Sequence, residues 1–368
     1  MYLNKVTVKN FRNIELANLE FNKNVNLILG QNAQGKTNLL EAIWLLSGNK
    51  SFRGAGDREF IGFDKTGYFI GGEFLSGDEE TSLKIGCEKK NEEIRKKIVK
   101  NDKEYKTQKA LLGSALMTVF SPDDLEIIKQ GPALRRNFCD ILIATLFPSY
   151  AKTLSYYLRI VSQKNALLKE GHIENLDIWN NQLALYAASI VKSRTELLKR
   201  LTPYVKNFFN EMTSNKEEIE IEYETSVCLN FEMTEGEIAV EFLKKLNENE
   251  YKEIAAGTCL YGAQRDDILI TVNGKDARNF ASQGQQRSAV LALILAKTQL
   301  IKEQTGKTPI VLLDDVMSEL DDGRRQYLLE KIENFQVIIT GCREEIFKNH
   351  QNIKTFYVEN GKFVGCED

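Results

Sequence analysis

Eight residues early in the chain, Gly30-Gln31-Asn32-Ala33-Gln34-Gly35-Lys36-Thr37, bring together the groups that hold phosphates. Gly30 and Gly35 let backbone N–H groups converge on an anion, and the helix expected to follow adds its positive end. Lys36 has the reach for the outer phosphates of a nucleotide, and the Thr37 hydroxyl is a magnesium ligand. A second cluster supplies the acid such a site needs. After the apolar run Ile310 to Leu313, Asp314 is placed to hold magnesium, directly or through water. Asp315 is then placed to orient or deprotonate an attacking water. Two adjacent aspartates after a strand also suit a helix cap; the phosphate loop makes that the weaker reading. A third stretch, Ser282-Gln283-Gly284-Gln285-Gln286-Arg287, opens into the apolar run AVLALILAKTQL. One capping side chain suffices for a helix start; a capped helix with a polar loop explains Ser282 but not the glycine and the three side-chain amides.

The elements that must position these residues are legible in outline. YLNKVTVKNF and LEFNKNVNLILG have strand character, the second ending in a continuous apolar run as buried strands do. TNLLEAIWLLSG reads as an amphipathic helix closed by Gly48, and residues 67 to 107 as strand-like pieces between turns. From about Pro122 apolar residues recur at three- and four-residue spacing in two long helical segments, divided at EGHIEN. Strand character returns at EEIEIEYET, and a hairpin is expected at Asn273-Gly274. TPIVLLDDV and FQVIITG are further buried strands. The expectation is an α/β head with mixed sheets, split in sequence by an inserted helical lobe. Its parts are residues 1–122, the inserted lobe 123–210, and residues 211–368.

At 368 residues and 42% hydrophobic, the chain can bury more than one core. A formal charge of −3 excludes a globally basic nucleic-acid binder but not a local basic face. Six scattered cysteines, with His172 and His350 the only histidines, argue against a zinc site or histidine catalysis. There is no charged-then-apolar leader and no apolar stretch near the ~20 residues that span a bilayer. A reduced, cytoplasmic, nucleoid-associated protein without a membrane partner is expected. Two basic clusters suit a phosphate backbone: Lys89 to Lys109, including Arg95, Lys96 and Lys97, and the loop carrying Lys50 and Arg53. Arg135 and Arg136 are further candidates, and a solvated hairpin of mixed charge is nearly as good an account of the first cluster.

The ordered series NFRNIE, GQNAQGKTNLLEAIWLLSGNKSFR, FSPDDLEIIKQGPALRRNFCD, RDD, SQGQQR and LLDDVMSELD runs the length of the chain. In it the sequence resembles the bacterial RecF family of recombinational repair proteins, cassette-type P-loop ATPases of the structural-maintenance-of-chromosomes group. The resemblance implies ATP and Mg2+ as ligands and an ATP-driven homodimer. It also implies binding of double-stranded DNA near single-strand/double-strand junctions, and partners RecR and RecO. By the same resemblance, Arg12 and Asn13 contact the nucleotide and Asn32, Gly35, Lys36, Thr37 and Asn38 match the phosphate loop. The whole run Gly30, Gln31, Asn32, Ala33, Gln34 then lines ATP. Ser282, Gly284 and Gln285 match the signature that caps a second subunit's ATP, and Ser318 to Asp321 lie where the two sites are coupled, although Ser318 is equally a helix N-cap. Lys36, Ser282 and Asp315 would be the catalytic groups, with Thr37 and Asp314 on magnesium.

Departures from the wider pattern carry their own expectations. Asp315 stands where transporters have glutamate, and Thr340 replaces the switch histidine; a hydroxyl can hydrogen-bond a phosphate oxygen but not share a proton. Turnover well below the ~10 s⁻¹ of ordinary enzymes is therefore expected. FSPDDL lacks the glutamine of the corresponding transporter loop, with Ser121 a substitute, and Ala263-Gln264 replace the family's proline and histidine. A transporter subunit, a nuclease-coupled head and a non-catalytic scaffold fit less well. A short-armed chromosome-associated ATPase acting in replication is the main alternative.

Overall fold

The computed structural model describes residues 1–91, 93–171, 174–227, 229–230, 232–341 and 353–367, with backbone alone from 364. His172, Cys228, Cys342, His350 and the Cys366 side chain, weighed above as ligands, lie outside the described residues. The chain divides into two compact units, Met1–Leu125 with Val290–Asp368, and Glu126–Ala289.

The first unit holds two six-stranded sheets. One is antiparallel, in the order Ile14–Glu20, Tyr2–Phe11, Gly67–Ser76, Glu79–Lys90, Glu93–Lys100, Lys103–Tyr105. The other runs Lys362–Glu367, Ile353–Glu359, Val25–Leu29, Val337–Gly341, Ile310–Asp314, Met117–Phe120, parallel throughout except at its first strand. The continuous apolar runs expected of buried strands become the middle of this sheet, covered on both faces. The helix Lys36–Leu45 touches strands of both sheets. That position explains a departure from expectation. The helix is not amphipathic: Leu39, Leu40, Glu41, Ala42, Ile43, Trp44 and Leu45 are all buried.

The second unit is built on the helices Pro132–Leu146, Tyr150–Glu170, Leu176–Met212 and Glu235–Glu248 with a three-stranded sheet. Helix Glu235–Glu248 starts at a capping box of Thr234 and Glu237 and buries Ile238, Phe242 and Leu246. It packs on Leu176–Met212, and the strand Ile219–Glu224 pairs with Asp267–Val272 within this unit. Residues 211–289 therefore group with the inserted helices, where the sequence division placed them with the head. The hairpin turns at Asn273-Gly274 with φ of 51° and 72°, as expected. Fully buried Lys164 and Glu253 pair at 2.6 Å, and Lys164 also donates to Asn180 at 2.5 Å.

Candidate nucleotide site and nucleic-acid interface

Three adjacent parallel strands end at one edge of the parallel sheet. Val25–Leu29 runs into the phosphate loop, Ile310–Asp314 ends on the acidic pair, and Val337–Gly341 carries Thr340, in register with both Asp314 and Ile28. Ligands gather at the carboxyl ends of parallel strands because helix N-termini meet there. Gly35 has a φ of 114°, which a side chain would resist, and a Cβ there would lie 2.9 Å from Asn13 Oδ1. Lys36 is buried, and its Nζ donates to Gly30 O at 2.7 Å and Gln31 O at 2.9 Å. Gln31, Asn32 and Ala33 are exposed at the loop's rim.

Thr37 Oγ1 donates to Asp314 Oδ1 at 2.8 Å. Two ligands on adjacent corners of a magnesium octahedron stand about 3.0 Å apart, given metal–oxygen bonds of ~2.1 Å. The pair thus fits Mg2+. Burial pushes the Asp314 carboxyl above the usual carboxylate range, with the neighbouring Asp315 charge adding to it; hydrogen bonds from Thr37 and Thr340 oppose the shift. Thr340 is wholly buried; its Oγ1 donates to Asp314 Oδ1 at 2.8 Å and accepts the Asp315 N–H at 3.0 Å. The residue at the switch position is thus bonded to the acidic pair. Asp315 sits at the N-cap position of Val316–Glu319, yet its side chain makes no capping bond. Capping does not account for that carboxylate. Ser318 Oγ donates to Asp315 O at 2.7 Å, and the next helix is capped by Asp321, not by Ser318.

Arg12 and Asn13 reach the loop's surroundings differently. Asn13 Nδ2 donates to Ala33 O at 3.3 Å and its Oδ1 accepts from Asn38 at 2.8 Å. Arg12 forks onto Glu41, at 2.5 and 3.0 Å, and lies over the Phe60 ring. Glu41 has no exposed surface. Sequence reasoning missed it, because a glutamate in LLEAIWLL reads as an ordinary helix former. It also missed the strands Ile353–Glu359 and Lys362–Glu367. Their turn buttresses the loop: the Gly361 N–H donates to Gln34 O at 3.0 Å and the Asn360 N–H to the Gln34 side chain. A Cβ at Gly361 would fall 2.0 Å from Asn13 O, so only glycine fits. Turn residues Asn360-Gly361 were the available signal.

In the second unit, Ser282 N–H donates to Gln285 Oε1 at 2.7 Å and Ser282 Oγ accepts the Gln285 N–H at 3.2 Å. This capping box explains Ser282 and Gln285 more fully than the sequence suggested. Gln285 Nε2 is held by Glu217 at 2.7 Å, and Gln286 Nε2 donates to Ala277 O. Ser282 and Gln283 are exposed. Ser121 is buried, its hydroxyl donating to Asp124 at 3.3 Å.

Residues 2–364 match the model of the RecF/RecN/SMC N terminal domain. The DNA replication and repair protein RecF of Acetivibrio thermocellus is 39% identical, covering 97% of this chain and 98% of its own length. The chain belongs to the RecF family. The solved structure of the recombination mediator protein RecF-ATPrS in the RecFOR pathway has a TM-score of 0.91 at 37% identity, covering 98% of this chain and 97% of that one. The corresponding RecF-ATP structure has a TM-score of 0.90 at 38% identity, covering 99% and 98%. The fold is thus the α/β head of this ATPase family, and no described helix is long and apolar enough to cross a membrane.

The basic candidates sort by the face they occupy. Lys96 is a correction: it alternates with Ile94 and buried Ile98 on the inner face, and its Nζ donates to Asp57 and Gln108, both at 2.7 Å. Arg135 is a second correction, buried in a bidentate pair with Asp267 at 2.8 and 2.7 Å. Arg136 is tied to Asp266 O at 2.5 Å. Arg95 and Lys97 are exposed on the outer face, with Lys97 3.1 Å from Glu104. Lys50 and Arg53 are exposed, and Lys109 stands close enough to Lys50 to matter: burial chiefly, and the Lys50 charge after it, lower its pKa. Gln108, next to Lys109, donates to Leu45 O and Asn49 O, so the end of the first cluster lies against the loop that carries Lys50.

Proposed function

We propose that this chain is an ATP-gated DNA-binding protein of recombinational repair. The observation that carries the reading is the edge where Lys36, Thr37, Asp314 and Asp315 converge. Bound there, magnesium would neutralise charge on the outer phosphates of ATP. The chain's own groups do the rest. Lys36 exchanges two loop carbonyls for phosphate oxygens, Thr340 holds the acidic pair in place, and Asp315 orients or deprotonates the attacking water. Hydrolysis is slow, which makes ATP a timer. Two heads pair when the Ser282 end of one caps the ATP of the other. The exposure of Ser282 supports this: in the capping box its hydroxyl accepts the Gln285 N–H and still has its own proton to donate. The paired heads clamp double-stranded DNA near single-strand gaps through Lys50, Arg53, Arg95 and Lys97. RecR and RecO then assist recombinase loading, as the solved relatives' pathway suggests.

The test is binding of a labelled gapped duplex, followed by anisotropy with ADP and then ATP. Tight binding only with ATP supports the clamp; equal binding with both nucleotides removes ATP gating. Arg95→Glu with Lys97→Glu is expected to weaken binding and flatten its salt slope by about two phosphate contacts. Ser282→Arg places a bulky cation at the exposed cap. It is expected to leave ATP affinity unchanged while the protein stays monomeric with ATP by light scattering. Normal ATP-driven pairing of that variant would refute capping in trans.

A further inference from the structure

Glu41 is a buried carboxylate outside the phosphate-loop pattern, and both of its oxygens are engaged. Oε2 accepts from Arg12 Nε at 2.5 Å, while Oε1 accepts from Arg12 Nη2 at 3.0 Å and from Ser51 Oγ at 2.5 Å. Ser51 Oγ in turn accepts the Arg53 N–H at 3.0 Å. The Arg53 guanidinium lies 3.8 Å from Glu41 and donates to Asn38 Oδ1 at 3.1 Å. Asn38 donates to Asn13, and Asn13 to Ala33 O of the phosphate loop. A continuous series of hydrogen bonds, with Arg12 and Asn13 adjacent in the chain, thus joins the phosphate loop, the first turns of its helix, and the exposed loop that carries Lys50 and Arg53.

We infer that Glu41 is a positioning residue that couples occupancy of the nucleotide site to the placement of the Lys50–Arg53 loop for DNA phosphates. A buried carboxylate needs its donors, because leaving it uncompensated in the interior is costly. Arg12 and the Ser51 hydroxyl together supply the donors that its two oxygens accept. A nucleotide phosphate or base that draws on Arg12 or Asn13 changes what is left for Ser51 and Arg53, and the loop moves with them. The inference rests on the ATP-gating reading above and adds the path by which gating reaches the basic loop.

Ser51→Ala removes one donor to Glu41 from the loop side and leaves every residue of the helix and the phosphate loop in place. The readout is the ratio of gapped-duplex affinity with ATP to that with ADP, beside the affinity for a fluorescent ATP analogue. Ser51→Ala is expected to keep nucleotide affinity within about twofold and to lower the ratio about fivefold. Ser51→Thr, which retains the hydroxyl, restores it. Glu41→Gln is expected to lower the ratio further and to weaken nucleotide binding as well. A Ser51→Ala protein with the parent's ratio, or one that loses DNA affinity equally with both nucleotides, overturns the coupling alone. A parent protein whose ratio is one overturns the gating reading and the coupling together.

Discussion

An Asp315→Asn protein is expected to bind ATP as the parent does and, if Asp315 is the base, to hydrolyse it roughly 10²–10⁴-fold more slowly, the usual contribution of a positioned general base. The substitution is unusually clean at this site. Asp315 has a φ of 51°, in the left-handed region, where asparagine is among the best-tolerated residues. Its backbone N–H, which Thr340 Oγ1 accepts at 3.0 Å, is retained. No helix cap is lost, since the carboxylate makes none. Removing its charge also relieves one of the influences that raise the Asp314 carboxyl, so that carboxyl ionises more readily. Single-turnover phosphate release, compared with binding of a fluorescent ATP analogue, separates the two steps. A fall in hydrolysis below about tenfold would place the base elsewhere. A parent turnover near ~10 s⁻¹ would contradict the timer.

Lys36→Ala acts earlier, on binding. The buried ammonium is satisfied by Gly30 O and Gln31 O, so its removal strips two loop carbonyls of their donor and deprives the phosphates of theirs. A charge-assisted hydrogen bond contributes about 1.5–3 kcal/mol. Loss on the order of 100-fold in ATP affinity is expected, and with it ATP-driven pairing and ATP-dependent DNA capture. Calorimetric titration with ATP measures the first, light scattering the second. Retention of affinity within about tenfold would mean that Lys36 serves the loop's shape rather than the nucleotide.

The parts of this site that sequence shows well are those where chemistry demands a residue type at a fixed spacing. Gly30 to Thr37 and Asp314 are of that kind, and the strand edges that deliver them were readable from unbroken apolar runs. Charge is different, because a lysine's type does not state its direction. Lys96 reads as a DNA contact among its basic neighbours, yet its two-residue spacing from Ile94 and Ile98 already put it on the inner face. Arg135 could not be placed this way, since its partner Asp267 lies far along the chain. Glu41 was hidden for a related reason: what makes it important is a neighbour count of donors, which only the folded packing of Arg12 and Ser51 supplies.

The strand that leads into the phosphate loop has both of its neighbours, Val337–Gly341 and Ile353–Glu359, from far later in the chain. At ~5–20 residues per second of synthesis, the segment Val-Asn-Leu-Ile-Leu waits on the order of 15–60 s on the ribosome before either edge is covered. The Gln34 carbonyl and side chain wait as long for Asn360 and Gly361. A nascent chain therefore has no finished nucleotide pocket, and carries a sticky apolar strand through most of its translation. Its cellular yield should depend on chaperones that shield such strands, and a translation product that stops before Val337 lacks both neighbours of the strand that leads into the phosphate loop.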